Sequence, residues 1–157
     1  MYVFIYFLFM KVTFSPENYA KSDQFAKNIG IKVLSQLNKY EGTHWDSVEE
    51  NPNKYGVDLL LKKNGVLVGY AECEQSYNWK SGPFPFPDTR IVKRKNKYLR
   101  YPLPVFFIRV SESGDGLLIY SAAKMNTHGY DVAVSNYRND GEVMRTMKVG
   151  KENYIKV

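Results

Sequence analysis

Apolar side chains recur at helical spacing in the first quarter of the chain. Residues 15–17, Ser-Pro-Glu, form a helix start, because serine caps a helix, proline fits its first turn and glutamate suits its positive end. Apolar residues then follow, mostly three or four positions apart, at Ala26, Ile29, Val33, Leu34 and Leu37. The pattern predicts a helix over residues 16–39, bent or broken near Ser22 or Gly30.

Two apolar runs joined by Asn64-Gly65 are the clearest strand signal in the chain. Asn-Gly between such runs predicts a β-hairpin, here over residues 56–74. A two-residue turn would place Asp58 and Glu72 on opposite faces, whereas a three-residue loop that begins at Lys63 places them on the same face. The three-residue loop is favoured because it collects apolar residues on one face, namely Val57, Leu59, Leu61, Leu67, Gly69, Ala71 and Cys73.

The rest of the chain favours further strands and no second domain. The pattern predicts a short strand near residues 43–48, a buried strand at the continuous apolar run 105–110, and another strand at 117–122. Residues 132–157 are typical of strands and turns arranged around a turn at 139–141. These elements predict an α/β fold, in which an N-terminal helix precedes a central mixed β-sheet within a single domain.

The chain begins with an unbroken apolar run, residues 1–10. The run is too short to cross a bilayer, which takes about 20 residues, and it lacks the basic start and the cleavage site of a signal peptide. It is interpreted as a buried strand or as an upstream extension of a protein that starts at Met10, with a membrane-surface anchor as a distant third. The extension is favoured. Residues 1–9 are then an N-terminal extension, and residues 10–157 form a single domain.

The net charge of +6 and the isoelectric point of about 9.2 favour a polyanionic partner, with nucleic acid first. The single cysteine, Cys73, allows no intramolecular disulfide, which is typical of an intracellular, cytoplasmic protein. The two histidines, His44 and His128, lie far apart with no cysteine beside either of them. That spacing argues against a structural zinc site.

Three carboxylates, Asp58, Glu72 and Glu74, share the polar face of the predicted hairpin with Lys62. Like charges held close together repel one another, so each carboxylate tends to protonate unless a cation is bound. Carboxylate oxygens suit Mg²⁺ or Mn²⁺, which makes this face a candidate metal site. The alternative is that these side chains only face solvent on an exposed sheet.

Residues 56–58 (Gly-Val-Asp) and 70–74 (Tyr-Ala-Glu-Cys-Glu) resemble the core of the PD-(D/E)XK, or restriction-endonuclease-like, nuclease superfamily. In that superfamily a helix precedes a hairpin, an aspartate opens one strand and an acid-x-lysine motif lies on the next. Val57 stands where the motif has proline, and Glu74 stands where it has lysine. Some restriction endonucleases share this Glu-x-Glu variant. The resemblance covers residues 15–110 and implies a restriction-endonuclease-like core.

The resemblance also implies a chemistry, which is Mg²⁺- or Mn²⁺-dependent hydrolysis of phosphodiester bonds by a DNA endonuclease. Asp58 and Glu72 would hold the metal, with the Cys73 carbonyl as a further ligand. Glu74 would be a third ligand or would orient the attacking water. Double-strand cutting would favour a homodimer.

A dense basic cluster follows the candidate site, with no acidic residue inside it. Its six members are Arg90, Lys93, Arg94, Lys95, Lys97 and Arg100. Such a run predicts contacts with phosphates, and Trp79 in the preceding loop is a candidate for stacking on a base. Arg94 and Lys95, or Lys62, would supply a cation beside the scissile phosphate, and Glu17 is a weaker candidate for an outer metal ligand. The alternatives are a solvated charged face and a buried Trp79.

Three functions stay open at the level of the sequence. The first is a metal-dependent DNA endonuclease that acts in the cytoplasm, including the host cytoplasm for a phage or other viral protein. The second is a non-catalytic nucleic-acid-binding protein that keeps the same fold. The third is a viral interaction protein whose carboxylates are only surface features. Loss of Asp58 would abolish the first function and leave the second intact.

Overall fold

The first element of the computed structural model is one long helix. The structure describes residues 16–134 and 142–157, so the extension predicted for residues 1–9 and the turn predicted at 139–141 lie outside the described residues. Helix α1 (Pro16–Leu37) runs without the predicted break. Its buried face consists of Ala26, Gly30, Val33 and Leu34.

Two backbone features explain where α1 lies and where it ends. A Cβ atom added at Gly30 would lie 2.9 Å from the Cys73 Sγ, so this glycine lets the helix approach the sheet closely. Asn38 adopts a left-handed φ of 51°, and its N–H donates to the carbonyl of Leu34. The helix therefore ends at Leu37, close to its predicted end at residue 39.

The described strands form a main sheet, a smaller sheet and a short hairpin of β1 (Lys39–Tyr40) and β2 (Thr43–His44). The main sheet contains β3 (Ser47–Glu50), β4 (Leu59–Lys63), β5 (Val66–Ser76), β7 (Val105–Ser111), β8 (Gly116–Ser121) and β11 (Tyr154–Lys156). Its order is β11-β8-β7-β5-β4-β3, in which β5 and β7 are parallel and all other neighbours are antiparallel. The prediction of a mixed sheet behind an N-terminal helix is confirmed.

A second layer contains the smaller sheet and the short helices. The smaller sheet consists of β6 (Asp88–Ile91), β10 (Glu142–Lys148) and β9 (Tyr130–Val134), in that spatial order. The helices are α2 (Ala122–His128) and the 3₁₀ helix η1 (Lys93–Arg100). A further 3₁₀ helix, η2 (Lys151–Asn153), lies beside β8 of the main sheet. No helix within residues 16–134 and 142–157 is both long enough and apolar enough to cross a membrane.

The β4–β5 hairpin closes differently from the prediction. Asn64 and Gly65 have left-handed φ values of 53° and 77°, and Lys63 pairs with Val66 across a two-residue turn, so the three-residue loop is wrong. A bulge then inserts one extra residue, Val68, because Lys62 pairs with Leu67 whereas Leu61 pairs with Gly69. Beyond the bulge, each residue of β5 lies on the face opposite to the one that a regular hairpin with this turn would give it. Asp58 and Glu72 are thereby placed on the same face of the hairpin.

Both faces of the main sheet are buried. On one face, Leu59, Leu61, Ala71 and Cys73 pack with α1. On the other face, four residues pack with the second layer, that is with η1, α2 and the smaller sheet: Val105, Phe107, Leu118 and Tyr120. Two residues were predicted on the wrong face of the hairpin. Val57 packs with the second layer and not with α1, and Val68 takes the position next to α1 that was predicted for Leu67. Glu72 and Glu74 alternate with Ala71 and Cys73, so they face the second layer.

Candidate functional site

The hairpin brings two carboxylates, those of Asp58 and Glu72, into contact with each other's strand. Asp58 directly precedes β4, and Glu72 lies on β5. The backbone N–H of Asp58 donates to Glu72 Oε1 at 3.1 Å, and the N–H of Cys73 donates to Asp58 Oδ2 at 2.8 Å. One oxygen of each carboxylate is thereby held by a backbone amide, and its second oxygen is left for another partner.

Burial makes this pair costly to ionise. Only 9% of Glu72 is exposed, and burial, together with the neighbouring Asp58 charge, raises the pKa of Glu72 to about 7. Burial also raises the pKa of Asp58, against the hydrogen bond from Cys73. A carboxylate pair in this state is stabilised by any cation that reaches both side chains.

Two lysines approach the pair from opposite faces of the main sheet. Lys95 on η1 places its Nζ 3.7 Å from Glu72 Oε2 and 3.3 Å from Glu74 Oε2. Lys27 on α1 places its Nζ 3.9 Å from Asp58 Oδ1. Only 17% of the Lys27 side chain and 13% of the Lys95 side chain are exposed, so neither of them is an ordinary solvated surface residue.

The environment of Lys27 includes residues that the sequence did not indicate as part of a site. Its Nζ lies 2.8 Å from Asp23 Oδ2 and 3.5 Å from Glu50 Oε1, in addition to its contact with Asp58. The four-residue spacing from Asp23 to Lys27 on a helix is a recognisable signal for an ion pair. Nothing in the sequence links that pair to Asp58, because α1 meets β4 only in the folded chain.

Glu74 has different partners from Asp58. Its Oε1 lies 3.3 Å from Arg109 Nε, and its Oε2 lies 3.3 Å from Lys95 Nζ. Burial would raise the pKa of Glu74, but Lys95 and Arg109 outweigh that effect and lower it. Arg109 also donates to Ser76 Oγ at 2.8 Å and to Thr89 Oγ1 at 3.3 Å. Glu74 is therefore a firmly ionised carboxylate that is already bound by two cations.

Arg109 is a site residue that sequence analysis missed. It lies on β7, directly opposite Glu74 in the parallel pairing of β5 and β7. The signal was present, because a charged residue inside a continuous apolar strand is rarely buried without a partner. Through Thr89 it also links the main sheet to the second layer.

A cleft of about 450 Å³ opens on the second-layer side of the carboxylates. Its lining includes Glu72, Glu74, Lys95, Arg109 and Arg90. A phosphate that entered this cleft would meet cationic side chains and the Glu72 carboxylate together. The cleft therefore offers a route by which an anionic substrate reaches the Glu72 member of the acidic pair from the side of η1.

The carboxylates fit a metal ion in part. Within residues 16–134 and 142–157, no three histidine, cysteine, aspartate or glutamate side chains are grouped as a ready-made metal site. Mg²⁺ is commonly held by one or two carboxylates together with water, and Asp58 and Glu72 can provide such a pair. Glu74 would first have to leave Lys95 and Arg109. The predicted ligand set of Asp58, Glu72 and Glu74 stays a prediction.

Comparisons of the chain with protein-family models, with curated proteins and with solved structures found no match. The likeness of the Asp58 and Glu72-x-Glu74 motif to a nuclease superfamily therefore stays an expectation from the sequence. The arrangement of Asp58, Glu72 and Lys95 is the evidence on which a functional assignment depends.

Two of the predicted site residues lie away from the carboxylates or are inaccessible. Lys62 forms its ion pair with Glu49 on β3, at the turn end of β4. Trp79 is 0% exposed, and its Nε1 donates to the Gly82 carbonyl at 2.9 Å. Its ring has no face available to a base, so the predicted stacking role is corrected to a role in the core.

The other predicted residues lie at the surface, with one exception. Those that are exposed are Glu17, Arg90, Lys93, Arg94, Lys97 and Arg100. The exception is Lys95, which points inward to Glu72 and Glu74 while the other basic residues of η1 face solvent. The basic cluster is thus divided between a site cation and a solvent-facing set of cations.

The raised pKa of Glu72 predicts a pH-dependent stability. Because its folded pKa of about 7 lies above its ordinary value of 4.5, the unfolded chain ionises first, and the free energy of unfolding falls as the pH rises between these values. Replacing Glu72 with glutamine should remove this loss, a gain of at most about 3 kcal/mol near pH 8. Urea unfolding in EDTA at about pH 5 and about pH 8 would measure it. A stability difference between variant and native chain that does not change with pH would contradict the prediction.

Proposed function

We propose that this chain is a metal-dependent nuclease with a restriction-endonuclease-like core, which hydrolyses phosphodiester bonds in DNA. The observation that supports the proposal is that the Asp58 and Glu72 carboxylates each accept a backbone N–H from the other's strand, with the Lys95 ammonium beside Glu72. A helix, a hairpin and an acidic pair occur in the order that the superfamily has. The buried pair is also short of positive charge, which a divalent cation would supply.

The residues of the site have separable roles in this proposal. Mg²⁺ or Mn²⁺ would lower the pKa of a bound water and neutralise charge that develops on the phosphate. Asp58 and Glu72 would hold the ion, and the backbone amides of Cys73 and Asp58 fix the orientation of the two carboxylates. The superfamily motif has a lysine where this chain has Glu74 on β5. Lys95 would provide the missing ammonium group, and it can contact the phosphate from the cleft.

The solvent-facing cations of η1 explain how DNA would be attracted to the cleft. Lys93, Arg94, Lys97 and Arg100 are exposed on the helix that also carries Lys95. Phosphate contacts of this kind supply most sequence-independent affinity for DNA, and they weaken as salt is added. Binding in this proposal is therefore electrostatic and depends little on base sequence.

Cleavage of supercoiled plasmid and of single-stranded DNA tests the proposal. We expect cleavage with Mg²⁺ or Mn²⁺ and none with EDTA, because the carboxylate pair alone cannot activate water. Lys62→Gln is the control, since Lys62 pairs with Glu49 and should be dispensable for cleavage. Failure of the native chain to cleave either substrate with either ion would rule out the nuclease.

A non-catalytic nucleic-acid-binding protein is the second candidate. It is favoured by the ion pairs themselves, because Lys27 and Lys95 already neutralise part of the acidic charge without a metal. Salt-sensitive binding without cleavage, unaffected by Asp58→Asn, would identify this second function.

A further inference from the structure

The loop that leads into Asp58 presents an aromatic ring to solvent. Tyr55 is 81% exposed, more than any other large hydrophobic side chain that is exposed in the described ranges. The Nζ of Lys54 lies 5.3 Å from the centroid of the Tyr55 ring. An aromatic ring with an ammonium group at one side combines the two groups that bind a single nucleotide, one for the base and one for the phosphate.

This loop, residues 51–57, is held in one shape by hydrogen bonds that avoid the Tyr55 ring. The N–H of Asn53 donates to Asn51 Oδ1 at 3.0 Å, and the N–H of Tyr55 donates to Asn53 Oδ1 at 3.1 Å. A Cβ added at Gly56 would lie 2.8 Å from Asn51 Nδ2, so a larger residue here would displace the Asn51 amide. The ring is thus presented by an ordered backbone, which lowers the entropy lost when a ligand binds.

The loop is tied directly to the acidic pair. Asn51 Nδ2 donates to the Val57 carbonyl, and the Asn51 N–H donates to the Asp58 carbonyl at 2.9 Å. Tyr55 is three residues from Asp58, so their Cα atoms are at most about 11 Å apart. A base on Tyr55 would therefore be bound by the same short segment that carries Asp58.

We propose that Tyr55 stacks on an unpaired base while Lys54 contacts an adjacent phosphate, which makes single-stranded or locally unpaired nucleic acid the substrate class. The inference rests on the proposed function for the nature of the substrate. Within a duplex both faces of a base are covered by its neighbours, so a side chain can stack only on a base that is unpaired or at an end. Trp79, the stacking candidate indicated by the sequence, is buried, whereas Tyr55 has the exposure that stacking needs.

Binding measured without cleavage tests the inference. Fluorescence anisotropy in EDTA would compare the full chain and its variants on one labelled oligonucleotide, first single-stranded and then as a duplex. Tyr55→Ala should weaken single-strand binding about 5- to 150-fold and leave duplex binding within about twofold. Tyr55→Phe should bind as the native chain does, because phenylalanine keeps the stacking face. Lys54→Gln should reduce the slope of log affinity against log salt by about 0.7 on the single strand.

Tyr19→Ala is the matched control, because Tyr19 is 61% exposed on α1 and lies outside the loop. Native affinity of Tyr55→Ala for the single strand, or an equal loss on both substrates, would overturn the inference. If the native chain binds without cleaving, and Tyr55→Ala still weakens single-strand binding, the proposed nuclease activity is overturned and this binding site is supported. Failure of the native chain to bind nucleic acid would overturn both proposals.

Discussion

Replacing Asp58 with asparagine, or Glu72 with glutamine, is expected to slow DNA cleavage by about a thousandfold, because a catalytic metal contributes several kcal/mol to the transition state. Both substitutions keep the shape of the side chain and remove the negative charge that would hold the ion. Each new amide side chain also keeps an oxygen that can accept the backbone N–H of Asp58 or Cys73, so the contact between the strands changes little. Initial rates of plasmid nicking at saturating Mg²⁺ would measure the effect.

The control for this experiment is another glutamate on the same sheet. Glu49→Gln removes one negative charge from the ion pair with Lys62, a pair that includes neither site carboxylate, and should leave the rate unchanged. Circular dichroism would confirm that each variant is folded. Equal cleavage by the native chain and by Asp58→Asn would show that the activity belongs to another site or to a contaminant.

Replacing Trp79 with alanine is expected to lower the free energy of unfolding by about 3–5 kcal/mol. That loss is a large part of the 5–15 kcal/mol by which a typical domain is stable. The side chain is fully buried, and its ring centroid lies 5.1 Å from that of Phe84 and 6.2 Å from that of Tyr154. The variant also leaves the Gly82 carbonyl without its hydrogen bond from the indole.

Urea unfolding would measure this loss, with Tyr77→Ala as the comparison. Tyr77 is 48% exposed and two residues away, so its removal should change the stability by less than about 1 kcal/mol. A Trp79→Ala variant of native stability that had lost DNA binding would contradict the structure. It would restore the stacking role that the sequence predicted for this residue.

Local pattern predicted the elements of this fold well. The helix start at residues 15–17 and the apolar spacing that follows it led to α1, and the apolar runs led to β5, β7 and β8. These elements are visible in the sequence because each has one strong period or one continuous apolar run. The predicted break at Ser22 or Gly30 was wrong, since Gly30 allows the close approach to Cys73 and does not interrupt the helix.

The hairpin shows how a correct outcome came from an incorrect detail. The sequence predicted that Asp58 and Glu72 share a face, and the structure brings them into contact. The predicted three-residue loop was wrong. A two-residue turn followed by a bulge at Val68 places the two residues on the same face in its stead. A bulge has no reliable signature in one sequence, since its location depends on how the strands pack.

The site was predicted only where its residues are close in sequence. Asp58, Glu72 and Glu74 follow from one hairpin, whereas Lys27 and Arg109 come from α1 and β7, far away along the chain. Lys95 appeared in the sequence as one member of a basic cluster. The fold distinguishes it, because it turns inward to Glu72 and Glu74.

The sequence by itself determined the helix, most of the strands, the basic charge and the acidic residues of the hairpin. Those properties depend on local periodicity and on composition, which every residue carries with it. The tertiary structure decided which cation meets which carboxylate, and it decided that Trp79 is buried while Tyr55 is exposed. Burial and ion pairing depend on which distant segments pack together, and no short stretch of sequence contains that information.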